Sequence, residues 1–129
     1  MLQAGDSMPT DVKVHNLIGE EVTLSKYLGN YLVIYFYPKD DTPGCTKEAC
    51  SFRDFNKDIE ELGAKIIGIS KDNVKSHNKF IENHKLNFEL LSDPETKLQD
   101  AFGVWAEKSM FGKKFIGTLR TTFLVNPDG

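Results

Sequence analysis

An α/β layer structure is the fold class this sequence predicts. Two apolar runs, Tyr31 to Tyr37 and Lys65 to Ser70, are rich in β-branched and aromatic residues and read as buried strands. After each of them, apolar residues recur at helical spacings of three or four. Strands alternating with helices imply a sheet with helices packed on it.

The elements follow in order. Val12, Val14, Val22 and Leu24 alternate with polar residues on either side of Gly19, which predicts a short hairpin. Its arms are Lys13-Val14-His15 and Val22-Thr23-Leu24. Ser25 to Gly29 is a turn or a single helical turn leading into the strand at Tyr31 to Tyr37. Ala49, Phe52, Phe55, Ile59 and Leu62 then mark the buried stripe of a helix that Gly63 stops. Lys65 to Ser70 pairs near the first run. Asp72 or Asn73 caps a helix whose broad face carries Val74, His77, Phe80, Ile81 and His84. Phe88 to Leu91 is a short strand, and Ser92-Asp93-Pro94 opens a helix with Leu98, Ala101 and Phe102 buried until Gly103. Gly103 to Gly117, punctuated by glycine, reads as a loop or irregular hairpin. Thr118 to Val125 is rich in strand formers, and Asn126 to Gly129 is a turn.

One stretch carries chemistry: Tyr37-Pro38-Lys39-Asp40-Asp41-Thr42-Pro43-Gly44-Cys45-Thr46-Lys47-Glu48-Ala49-Cys50. Thr42 is a good helix N-cap, and Pro43 suits the first helical position, where its missing N–H costs nothing. Cys45 therefore sits in the first helical turn after a strand. Unpaired N–H groups and a partial positive charge at a helix start favour a thiolate over a thiol. By helical phase Cys45 also falls on the Ala49/Phe52 stripe, so a packed structural cysteine is the bland alternative. Cys50 lies about 140° further round the helix, away from that stripe. Arg120, from sequence alone, is an exposed strand arginine. Glu48 is as readily a solvated helix residue as a functional one. His77 and His84, seven apart on one face, do not have the spacing of a helical metal pair.

These residues resemble the peroxiredoxins, and among them the bacterioferritin-comigratory-protein or peroxiredoxin Q type. Pro38, Thr42 and Cys45 match the family's Pro-x-x-x-Thr-x-x-Cys motif, and Cys50 matches the second cysteine of this type. The likeness runs from Gly5-Asp6 through Phe102-Gly103-Val104-Trp105 to Arg120-Thr121-Thr122-Phe123-Leu124-Val125. It sharpens the fold to a thioredoxin-like sheet flanked by helices, with an N-terminal β-hairpin. It implies a peroxidase in which Cys45 is the nucleophile, Cys50 resolves its oxidised form, and Pro38 shields the thiolate from water. Arg120 would lie beside Cys45, with Glu48 orienting it, and the Thr42 hydroxyl would face the reacting oxygens. The implied substrate is hydrogen peroxide or an organic hydroperoxide, and the implied reductant is thioredoxin or a similar dithiol. No metal or organic cofactor is needed. Similar family members continue through another strand and a C-terminal helix, so this chain is expected to be a truncated or a short form. The Thr121 to Val125 strand then has an open edge.

Composition bounds the rest. A chain of 129 residues predicts a single domain over 1–129, and nine Phe, four Tyr and one Trp suffice for one core. A net charge of −3 and a pI near 5.6 leave no footprint for nucleic acid. The first ten residues lack a signal peptide's apolar region, and no apolar run is long enough to span a bilayer. A cytoplasmic protein, monomeric or weakly dimeric, is the expectation. Two other functions compete: a thiol–disulfide oxidoreductase on the same fold, and an inactive or redox-sensing module. The Cys-x4-Cys spacing, in place of Cys-x-x-Cys, argues against the first.

Overall fold

The computed structural model describes the backbone of residues 1–129 and every side chain except that of Met110. Its elements are β1 (Val14–His15), β2 (Glu21–Val22), a 3₁₀ turn (Leu24–Tyr27), β3 (Tyr31–Phe36), α1 (Pro43–Glu61), β4 (Ala64–Ser70) and α2 (Val74–His84). They continue through β5 (Glu89–Ser92), α3 (Lys97–Phe102), β6 (Trp105–Met110), β7 (Lys113–Thr118) and β8 (Thr121–Val125). Six strands form one mixed sheet in the order β2-β1-β5-β4-β3-β8, and β6 pairs with β7 in a separate ribbon. β3, β4 and β5 are parallel, while β8 runs antiparallel to β3, with Ile34 opposite Phe123.

The alternation of side chains along β3 builds two cores. Leu32, Ile34 and Phe36 join Ile67, Ile69 and Leu91 under α3 and the N-terminal segment. Tyr35 and Tyr37 face the other way and pack with Ile66 and Leu90 against Cys45 and Ala49 of α1 and Phe80 of α2. A strand covered on both faces reads as a continuous apolar run, which is why Tyr31 to Tyr37 shows no polar alternation. Gly68 supplies the room Tyr35 needs, because a Cβ there would lie 2.8 Å from the tyrosine ring and 2.7 Å from Leu90.

Several boundaries differ from the sequence expectation. Leu24 does not extend the hairpin; it is fully buried and begins the 3₁₀ turn. Phe55 and Leu62 are not part of the buried stripe of α1, being 62% and 81% exposed. The inward positions step by four and three through Cys45, Ala49, Phe52, Asn56 and Ile59, so a polar residue takes the place assigned to Phe55. Asn56 is buried and donates through Nδ2 to the Asn87 carbonyl at 2.9 Å. The helix expected from Ser92-Asp93-Pro94 begins only at Lys97. Asp93 stands back from it and accepts from the amides of Leu98 (3.2 Å) and Gln99 (2.9 Å). Gly103 to Gly117 is mostly a regular hairpin. Its two-residue turn has left-handed φ at Phe111 (+52°) and Gly112 (+77°), the geometry that suits strand twist. β8 pairs only on its β3 side and forms the edge of the sheet. Among the described residues no helix is long and apolar enough to cross a membrane.

Candidate active site

Parallel strands deliver a loop at their carboxyl ends, and the site lies there, after β3. The Tyr37 amide still donates to the Ile69 carbonyl (3.1 Å), but Pro38 has no N–H and the ladder stops. The chain turns through Asp41, at φ +58°, and enters α1 with Thr42 at the N-cap and Pro43 at the first helical position. The Thr42 carbonyl accepts the first helical bond, from the Thr46 amide at 2.8 Å. Its hydroxyl does not cap the helix as the sequence predicts. It donates backward to the Lys39 carbonyl at 3.0 Å, which leaves the oxygen lone pairs as acceptors.

Cys45 is 1% exposed, against the Tyr35/Ala49 core. Its sulfur nevertheless meets a cation: Arg120 Nη2 donates to Cys45 Sγ at 3.2 Å. Arg120 sits in the two-residue connection between β7 and β8, not within a strand. Its other terminal nitrogen, Nη1, bonds Glu48 Oε1 at 3.1 Å, so one guanidinium joins a thiol to a carboxylate. Burial opposes the charge on Arg120, but the Cys45 sulfur and the Glu48 carboxylate outweigh it and push its pKa up. Burial likewise raises the Glu48 carboxyl above its ordinary value, and the arginine offsets only part of that. Gly44 makes the close approach possible, since a Cβ on it would stand 3.3 Å from Arg120 Nη2.

Cys50 is half-buried on α1, and both cysteines are free thiols. Pro38 is half-buried between the buried Tyr37 and the exposed Lys39. An open, mostly apolar groove of about 660 Å³ runs along α1 from Gly44 and Arg120 past Phe52 and Phe55 to Ile59. Among the described residues no group of three or more His, Cys, Asp or Glu side chains is gathered for a metal ion. The sequence reading missed a buried cluster behind the loop, in which Asp40 bonds His77 at 2.7 Å. Its one legible signal is a histidine at an inward position of α2, between Val74 and Phe80.

Residues 4–129 match the model of the AhpC/TSA family. The chain is 50% identical over 128 residues to the peroxiredoxin Bcp of Bacillus subtilis, covering 99% of this chain and 81% of that one. The structure is similar to that of the bacterioferritin comigratory protein of Xanthomonas campestris, with a TM-score of 0.89 at 42% identity, covering 98% of this chain and 83% of the other. A peroxiredoxin Q structure from the same organism also matches at a TM-score of 0.89, with 43% identity over 98% of this chain and 82% of that one. Sharing half its residues with a peroxiredoxin over almost its whole length, the chain belongs to the AhpC/TSA family, in the Bcp or peroxiredoxin Q branch, and is a thiol peroxidase.

Proposed function

We propose that Cys45 is the nucleophile of this peroxidase and that its substrates are hydrogen peroxide and organic hydroperoxides. The contact of Arg120 Nη2 with Cys45 Sγ, at the start of α1, carries this reading. A cation and a helix N-terminus both stabilise the thiolate, which is the attacking form. The thiolate attacks the terminal peroxide oxygen and the O–O bond breaks. The leaving oxygen takes a proton and departs as water or an alcohol, and Cys45 becomes a sulfenic acid. Arg120 and backbone N–H groups near Cys45 stabilise charge on the oxygens. The Thr42 hydroxyl, whose hydrogen is committed to Lys39, accepts the peroxide's own O–H. Pro38 keeps water from the thiolate. The relative from Xanthomonas campestris is described by its alkyl peroxide reduction activity. The apolar groove beside Arg120 has room for an alkyl group.

Cys50 is the resolving cysteine. Its thiol displaces water from the Cys45 sulfenic acid to form an intramolecular disulfide, which thioredoxin or a similar dithiol reduces by exchange. That cycle suits a reducing compartment, the cytoplasm. We take residues 1–129 as one thioredoxin-like unit acting as a monomer or weak homodimer. Intact mass after one equivalent of peroxide tests the scheme. The parent loses two hydrogens, and Cys45→Ser shows no rapid change and no dithiol-dependent turnover. Turnover in Cys45→Ser above a few per cent of the parent would remove Cys45 from this role.

A further inference from the structure

Beside the active-site loop, a set of buried polar side chains is hydrogen-bonded to one another and not to Cys45. Asp40 is 6% exposed and His77 1%. Asp40 Oδ1 accepts from the Tyr37 hydroxyl at 2.6 Å, and Oδ2 accepts from the Ser76 hydroxyl and bonds His77 Nδ1, each at 2.7 Å. His77 Nε2 faces the Leu91 carbonyl at 3.0 Å. A carbonyl only accepts, so Nε2 carries a hydrogen. Nδ1 bonds the Asp40 carboxyl, so one ring ties Asp40 to the backbone of β5. Burial alone pushes the Asp40 carboxyl up, yet the bonds and charge of His77, with Tyr37 and Ser76, hold it below its ordinary value.

The backbone is fastened at the same point. The Asp40 amide donates to Asp72 Oδ2 at 2.7 Å, and that oxygen also takes the Ser70 hydroxyl at 2.9 Å. The next residue, Asp41, bonds His84 Nε2 at 2.6 Å. Two consecutive loop residues are thus tied to both ends of α2. A buried polar cluster is costly to desolvate and adds little net stability, so its location calls for a reason beyond stability. Its position, five residues before Cys45, supplies that reason.

We propose that Asp40 and His77 are positioning residues that rivet the Tyr37–Asp41 loop to α2, fixing where α1 starts and staying closed when the start of α1 opens. The inference rests on the Cys45–Cys50 cycle proposed above. The hinge for that opening then lies between Asp41 and Pro43, beyond the last fastened residue. A nucleophile displaced by about 1 Å can lose roughly 100-fold in rate, so a fixed helix start has direct kinetic value.

The test pairs variants with a measurement on the parent. Asp40→Ala slows the single-turnover oxidation of Cys45 by about tenfold or more. The pH midpoint of Cys45 alkylation stays at the parental value, because Arg120 and the helix remain. Asp40→Asn keeps groups that can bond Tyr37, Ser76 and His77, and recovers a rate within about threefold of the parent. A folded Asp40→Ala with the parental oxidation rate overturns the proposal, as does an Asp40→Asn no faster than Asp40→Ala. Should Asp40→Ala not fold, amide exchange in the parent decides, with the disulfide confirmed by intact mass. The Asp40 amide keeps its protection on oxidation while the Cys45–Cys50 segment loses it; loss at Asp40 overturns the rivet. If mass shows no disulfide, the assigned role of Cys50 fails instead, and the Asp40→Asn oxidation rate judges the positioning role, a loss of tenfold or more counting against it.

Discussion

Gly44 and Arg120 share a space with room for only one of them to grow. Gly44 is helical, so an alanine there meets no backbone strain and gains about 1 kcal/mol of helix propensity. Its Cβ, however, would stand 3.3 Å from Arg120 Nη2, the nitrogen bonded to Cys45. Gly44→Ala is therefore expected to keep or raise the melting temperature while slowing the single-turnover oxidation of Cys45 several-fold. A parental rate would mean the guanidinium shifts without losing the sulfur. At this scale the sequence was informative where a motif is contiguous. Thr42, Pro43 and Cys45 could be read as a helix start, although the direction of the Thr42 hydroxyl depends on the Lys39 carbonyl and could not. Arg120 meets Cys45 across 75 residues and needed the family likeness to be singled out. Asp40 and His77, 37 residues apart, had neither a motif nor a spacing rule to join them.

The element on which the proposed cycle turns is α1, whose continuous helix from Pro43 to Glu61 contains both cysteines. Five residues of helix separate their Cα atoms by roughly 9 Å, with the Cβ vectors about 140° apart. A disulfide needs Cα atoms within roughly 7 Å and Cβ atoms facing. The first turns must then unwind on oxidation and re-form on reduction. Amide exchange over residues 43–52 should show protection in the reduced protein and its loss in the disulfide form. Equal protection in both, with the disulfide confirmed by mass, would show that the bridge forms without unwinding. The limits of α1 were legible because Pro43 and Gly63 mark them chemically. Its buried face was legible only in part, because counting apolar residues drew in Phe55 and Leu62, whereas helical phase puts Asn56 inward. The β6–β7 hairpin was obscured for a similar reason. Lys108, Lys113 and Lys114 interrupt any apolar alternation, and the left-handed turn residue beside Gly112 is a phenylalanine.

At the scale of the whole molecule, two apolar layers flank the six-stranded sheet, and that sheet transmits packing to the site. Tyr35 stacks on Phe52 of α1 at 4.6 Å between centroids and occupies the space left by Gly68. Gly68→Ala should overpack this layer and destabilise the protein by about 1–3 kcal/mol, read from urea midpoints. An unchanged midpoint would show that Tyr35 and Leu90 yield freely. The α/β class was legible because both central strands are buried on two faces; the ionic cluster between loop and α2 was not, since polar loop residues look solvated in sequence. That cluster links the fold to pH. The Asp40 carboxyl has a folded value below its unfolded one of about 3.9, so it stabilises the fold above that pH and less as acid protonates it. Tyr37→Phe removes one donor to the charged carboxylate, the 2.6 Å hydroxyl contact, and should cost about 1.5–3 kcal/mol near neutral pH. Part of that loss depends on the carboxylate being charged. The stability difference between parent and Tyr37→Phe should therefore narrow as pH falls below about 4, because protonated Asp40 no longer gives the parent its full advantage. Urea midpoints of both proteins from about pH 7 down to about pH 3 measure it. A difference that stays constant across that range would mean the Tyr37 bond does not depend on the charge of Asp40.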